Sequence, residues 1–155
     1  MSQKVPPNVD PDLAAEFRHF QELAAALPHG DLRMDLPKGA RIKIEHGTWK
    51  VKWRKYQLFV GPLSEDEYRG QLDHFSQPAI GQYAHLYSIT VTSVTFGRVR
   101  GVKQVRIVRE VGSKSILYAL EVAHGFAHAG ILRCGIDWDE SDCEELLSSV
   151  EIVKR

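Results

Sequence analysis

Apolar and polar residues alternate almost without a break in RIKIEHGTWKVKW, residues 41–53. Alternation with period two marks a strand that buries one face. The stretch folds back at His46-Gly47, where glycine tolerates φ > 0. That fold sets Ile42 against Val51 and Ile44 against Trp49, and Trp53 continues the apolar face. The opposite face collects Arg41, Lys43, Glu45, Thr48, Lys50 and Lys52. In this register Lys43 and Lys50 stand directly opposite one another, Trp49 is expected to be buried, and Lys50 is expected to face water.

The same reading extends along the chain. Residues 1–9 read as a flexible leader. Asp10 and Pro11 suit a helix start, and Leu13, Phe17, Phe20, Ala24 and Leu27 recur on one helical face until Pro28 and Gly30 end it. Residues 31–39 read as connector and YQLFV (56–60) as a strand. Ser64 and Glu67 form a capping box, with Leu63 placed to staple onto Tyr68. Behind it, Tyr68, Leu72 and Phe75 form the buried face of a short helix. Residues 76–84 read as loop. From residue 86 the period is two again, and SITVTSVTFGRVRG, VKQVRIVREV and SILYALEV are rich in strand formers. AHGF (123–126) offers a second His-Gly turn, with FAHAGILRCG returning. A short acidic helix over 137–147 turns Cys143, Leu146 and Leu147 inward, and SSVEIVKR closes as a strand. Strands mostly follow strands in sequence, which predicts antiparallel pairing. The expectation is a single α+β domain over 10–155, a curved, mainly antiparallel sheet packed against about three helices.

A chain of 155 residues, 43% hydrophobic and 26% charged, buries a full core without a metal or disulfide staple. It holds no apolar run of membrane-spanning length and opens on no apolar stretch of the kind that secretory signals carry. A cytoplasmic protein with no membrane partner is expected. The net charge is zero, which hides a pattern. Residues 1–37 carry −3, 38–60 carry +6, 61–87 carry −3, 88–114 carry +5 and 115–155 carry −5.

Residues 86–155 resemble the C-terminal half of PsbP-like α/β/α sandwich domains. The likeness lies in the strands that run into the hairpin ILYALEVAHGFAHAGILRC, the short helix DESDCEELL and the closing strand that opens with serine, SSVEIV. That family is functionally mixed and mostly non-enzymatic, spanning photosystem assembly factors, small-protein binders and bacterial envelope proteins. The resemblance implies a binding role.

Chemistry-bearing residues are sparse. A two-residue turn at His124-Gly125 sets Glu121 opposite His128, a carboxylate beside an imidazole that a hydrolase or transferase would use as an oriented base. The plain alternative is a cross-strand polar pair. His124 and His128 have a metal-like spacing, but Gly125 and Gly130 break the helix that a zinc site of that spacing needs. Cys134 and Cys143 read as small core residues, and the acidic surroundings of Cys143 work against a reactive thiolate. No phosphate-cradling glycine loop is present, so no catalytic residue, metal or cofactor is assigned.

The charged faces are the remaining candidates. Arg41, Lys43, Lys50, Lys52, Arg54 and Lys55 form a basic hairpin, a reader of an acidic protein or of nucleic acid. The plain alternative is a solvated strand face whose lysines discourage edge pairing. Trp138, Asp139, Asp142 and Glu145 form an acidic helix with an aromatic anchor, suited to a basic partner or to the basic strands of a second copy; acids also simply stabilise a first helical turn. The expected function is non-catalytic protein binding by an adaptor, chaperone or toxin-neutralising partner. A nucleic-acid-binding accessory protein comes second, and an enzyme using Glu121 and His128 third.

Overall fold

The computed structural model describes residues 31–45, 47–76, 87–110, 112–133 and 139–153. In chain order these hold β1 (Asp31–Arg33), β2 (Arg41–Glu45), β3 (Thr48–Trp53), β4 (Tyr56–Leu63), α1 (Glu65–Ser76), β5 (Tyr87–Phe96), β6 (Val99–Val108), β7 (Lys114–Val122), β8 (Gly125–Arg133), α2 (Glu140–Leu147) and β9 (Glu151–Val153). Seven strands form one sheet in the order β2-β3-β4-β8-β7-β6-β5, and β1 pairs with β9 as a separate ribbon. Every one of these pairings is antiparallel.

The antiparallel sheet is as expected, but the α+β balance with about three helices is not. The described residues are mostly strand and hold two helices. The helix expected over 13–27, and the leader at 1–9, lie outside the described residues. Part of the difference is residues 31–39, read as connector, which supply β1. Their partner β9 lies more than a hundred residues away in sequence, and no local pattern announces so distant a pairing.

The sheet separates two cores. Val51, Leu58, Val60, Ile116, Tyr118, Leu120, Ala127, Ala129 and Ile131 point to one face, where Cys143, Leu146 and Leu147 of α2 cover them with Ile152 and Leu32 of the ribbon. Phe59, Leu117 and Ala119 point to the other, under Phe75, Tyr68 and Leu72 of α1. Ser64 Oγ accepts the Glu67 amide at 3.1 Å, so α1 begins at its expected cap. No helix among the described residues is long and apolar enough to cross a membrane.

The 41–53 hairpin has the expected register, with Ile42 on Val51, Lys43 on Lys50 and Ile44 on Trp49. Its burial differs from the expectation, because β2 is the outer strand of the sheet and, among the described residues, no layer covers all of it. Ile42 and Ile44 are 39% and 62% exposed, Trp49 is half-buried, and the Lys50 side chain is only 14% exposed.

The second hairpin is shifted by two residues from the expected register. Glu121 lies opposite Phe126 and His128 opposite Ala119. The turn is Ala123-His124, with His124 at φ 63°, and Gly125 already belongs to β8. The reason is tertiary. A Cβ on Gly125 would lie 3.2 Å from Ile152 Cγ1, and Ile152 N donates to Ala123 O at 2.9 Å. The glycine therefore serves close packing against β9, and histidine, one of the residues that tolerate the left-handed region, takes the turn. A shift of two preserves side-chain parity, so the buried faces stay as the alternation predicts.

Gly101 on β6 allows no side chain, since a Cβ there would lie 2.0 Å from Ala119 O and 2.9 Å from Leu120 Cα, both backbone of β7. Gly70 in α1 has nothing within 4 Å of its notional Cβ. Gly101→Ala is expected to destabilise by at least about 1–3 kcal/mol, as overpacking does, while Gly70→Ala stabilises by about 0.5–1 kcal/mol. Urea melts of the two variants, with opposite shifts of midpoint, check this.

Candidate functional site

The site is built around α2. Asp139 caps the helix, its carboxylate accepting the Ser141 amide at 2.9 Å and the Ser141 hydroxyl at 2.6 Å. Those bonds hold its carboxyl below the usual range. Helical spacing then turns Cys143, Leu146 and Leu147 to the sheet. It sends Glu140 and Glu144 to one flank and Asp142 and Glu145 to the other.

On the first flank Lys103 lies 3.3 Å from both Glu140 and Glu144, Lys114 pairs with Glu140, and the Tyr118 hydroxyl donates to Glu144 at 3.5 Å. Burial alone would raise the Glu140 carboxyl, but the Lys114 and Lys103 ammoniums outweigh it and leave it lowered. On the second flank the Tyr56 hydroxyl donates to Asp142 at 2.9 Å, and Arg54 Nη1 lies 3.9 Å from the same carboxylate. The Arg54 guanidinium covers the Trp53 ring at 4.3 Å. Burial, and then the hydrogen bond to Asp142, raise the Tyr56 phenol. Arg54 and Lys55 are the two turn residues between β3 and β4, whose flanking residues Trp53 and Tyr56 pair.

Beside this turn lies a cleft of about 520 Å³. Leu36, Pro37, Trp53 and Leu146 give it apolar walls, Asp35, Arg54, Asp142 and Glu145 charge it, and Ser148 and Ser149 add hydroxyls. Three carboxylates against one guanidinium make its field negative. The Asp35 amide donates to Ser149 Oγ at 2.8 Å, which ties the segment after β1 to the end of α2. Strand alternation places Ile42, Ile44 and Trp49 on the same sheet face as Trp53. A partly exposed apolar strip therefore leads from the sheet edge toward the cleft.

Of the residues singled out from sequence, Arg54, Asp142 and Glu145 meet in this cleft. Asp139 and Lys55 flank it, close enough for the Lys55 charge to help lower the Asp139 carboxyl. Arg41, Lys43, Lys50 and Lys52 project from the opposite face of the hairpin. There Glu45 clamps Lys43 and Lys50, each at 2.8 Å, and the Lys50 ammonium lies 5.5 Å over the Phe59 ring. Trp138 and Cys134 lie outside the described residues.

The expected Glu121–His128 pair does not form across the strands. Glu121 takes a bidentate contact from Arg100 at 2.8 and 3.1 Å. His128 is fully buried, on the face that α1 covers, with Gly61 and Ala119 as its cross-strand neighbours. Small residues on both sides leave room for the ring. Sequence reasoning missed Asp35, Ser148 and Ser149 as site residues, and nothing local signals them. It placed Trp53 on the apolar face, where alternation could have marked it as a cleft wall. Compared with known proteins, the chain matches no family model and no curated protein sequence.

Two outcomes follow from this geometry. Hydrogen bonds from Lys43 and then Lys50 lower the Glu45 carboxyl to about 2. A lowered carboxyl stabilises the fold fully above its unfolded value of about 4.3, and that contribution is lost as pH falls through about 2. Glu45→Gln is expected to cost about 1 kcal/mol near neutral pH. The gap from wild type should close between these two pH values in denaturant melts.

Arg54 holds φ 55°, a conformation that costs a non-glycine residue about 1 kcal/mol. Arg54→Gly is therefore expected to be more stable than Arg54→Ala by about 1 kcal/mol, since both lose the same guanidinium contacts and only glycine relieves the backbone. Paired thermal melts read the difference.

Proposed function

We propose that the protein is a cytoplasmic, non-catalytic binding protein that holds a basic segment of another protein in the cleft between the Arg54-Lys55 turn and α2. The observation that carries this reading is the convergence of Asp35, Asp142 and Glu145 around apolar walls that include Trp53. An aromatic and aliphatic floor supplies contact area, and carboxylates at its rim steer and orient a cationic partner. The exposed Ile42 and Ile44 extend the apolar ground beyond the cleft, as a protein interface requires. Arg54 in a strained backbone conformation at the cleft is also characteristic of functional positions. The resemblance of residues 86–155 to a largely non-enzymatic family points the same way.

Nucleic-acid binding through the basic hairpin has less in its favour. Lys43 and Lys50 are engaged by Glu45, and Arg54 lies toward Asp142. Trp49 and Trp53 face away from the lysines, so neither is placed for base stacking on the basic face. The enzyme reading rested on Glu121 beside His128, a pairing that the strand register does not make.

The test uses an arginine-rich peptide and a single-stranded oligonucleotide as probes, with binding read by calorimetry at two salt concentrations. The peptide is expected to bind, more weakly at high salt. Asp142→Asn with Glu145→Lys should weaken it about tenfold or more, the scale of a lost rim charge pair. Asparagine still accepts from Tyr56, so the fold should be retained. Reversal of Arg41, Lys43 and Lys52 should leave peptide binding unchanged. Oligonucleotide binding that disappears on that second reversal, with no peptide binding, would replace this reading by the nucleic-acid one.

A further inference from the structure

We infer that the outer edge of β5 is a self-association surface, at which two copies of this chain pair their β5 strands antiparallel about a two-fold axis through Val91. β5 ends the sheet on its side, and among the described residues no strand lies beyond it. Its ten residues, YSITVTSVTF, include no charge, no proline and no glycine. Thr90, Val91, Thr92 and Ser93 are exposed in succession, so the middle of the strand is open on both faces of the sheet. A long, uncharged edge rich in β-branched residues is a template for another strand, because an edge presents a row of outward amide and carbonyl groups.

The other edge of the sheet is built in the opposite way. β2 has five residues, RIKIE, of which three are charged. Two copies paired there about Ile42 or Lys43 would set Lys43 on Arg41 or on Lys43, an unfavourable juxtaposition, while Glu45 would oppose Lys43 in the register about Ile44 or Arg41 in the register about Lys43. One edge is thus short and charged, and the other is long and uncharged.

The choice of a second copy follows from the side chains. An antiparallel pair with its two-fold axis normal to the sheet requires opposed residues to share a face. The register centred on Val91 meets this condition. It sets Val91 on its own copy, Thr90 on Thr92, Ile89 on Ser93, Ser88 on Val94 and Tyr87 on Thr95. No like charges meet anywhere along it. A charged partner, such as the basic segment proposed for the cleft, would find no complementary charge on this strand, whereas another uncharged, β-branched strand fits it. The cleft is walled by Trp53 of β3 and by the C-terminal end of α2, whose neighbour Ser148 also lies against Gly97 just beyond β5. The paired stretch centred on Val91 uses none of the cleft's lining residues. One added ladder without a large apolar flank is a small interface, and the dimer is therefore concentration-dependent rather than obligate.

Sedimentation velocity over a wide concentration range tests this on the full chain, with circular dichroism to confirm folding. The wild type is expected to shift from one chain toward two as concentration rises. Val91→Thr, which keeps the β-branched shape, should do the same. Val91→Lys brings two cations together on the axis and should weaken association about tenfold or more while leaving the melting midpoint unchanged. A wild type that stays a single chain at its highest concentration overturns the inference. So does a dimer that persists in Val91→Lys, or one that is lost on reversal of Arg41 and Lys43 instead.

Discussion

The seat of α2 on the sheet is the interaction on which the rest of the structure depends. Its apolar row, Cys143, Leu146 and Leu147, closes the core over Leu58, Ile116 and Tyr118. Its two acidic rows reach down on either side, Glu140 and Glu144 to Lys103 and Lys114, and Asp142 to Tyr56 and Arg54. The apolar row supplies most of the stabilisation, since area removed from water outweighs partly exposed ion pairs. The ion pairs fix which way round the helix lies. Reversed end to end, it would bring its acids to different strands and leave Lys103 and Lys114 half-buried without their carboxylates.

This seating accounts for the alternation of charge along the chain. The acidic block at the C-terminal end faces parts of both basic blocks within one molecule. What looks in sequence like separate basic and acidic binding surfaces is therefore partly consumed by folding. The charges left over differ by location. Around the cleft the balance is negative, with an aromatic wall. On the far face of the hairpin Arg41 and Lys52 remain exposed, and Glu45 draws Lys43 and Lys50 together. That clamp also explains why two lysines directly opposite one another are tolerated. Their repulsion is offset by a shared carboxylate and by the Phe59 ring beneath Lys50.

The sheet's two ends carry different risks. At the β2 end the strand is short and carries Arg41, Lys43 and Glu45, although Ile42 and Ile44 stay exposed. At the β5 end the strand is long and uncharged. Buried polar groups are also unevenly placed. Gln104, Ser115 and His128 all lie on the α1 side of the sheet, whereas the α2 side keeps its polar contacts at the rim of an apolar centre. On the α1 side the small residues Gly61 and Ala119 stand beside the buried His128 ring.

Local pattern determined much of this protein. Alternation over 41–53 set the hairpin register, since a strand pair joined by a two-residue turn has few other solutions. Helical spacing set which side chains of α2 point inward, and Ser64 set the start of α1. Parity set the buried faces of β7 and β8 even though their register was misread. The tertiary structure decided the rest. Gly125 looked like a turn residue until Ile152 proved to need the space above it, and that contact moved Glu121 away from His128. Asp31–Arg33 became a strand only because β9 lies alongside. The cleft joins Asp35, Trp53 and Glu145, residues far apart in sequence, and neither charge pattern nor periodicity carries information about contacts at that separation. Periodicity reports which face of an element is buried. It does not report what buries it, and the site depends on what buries it.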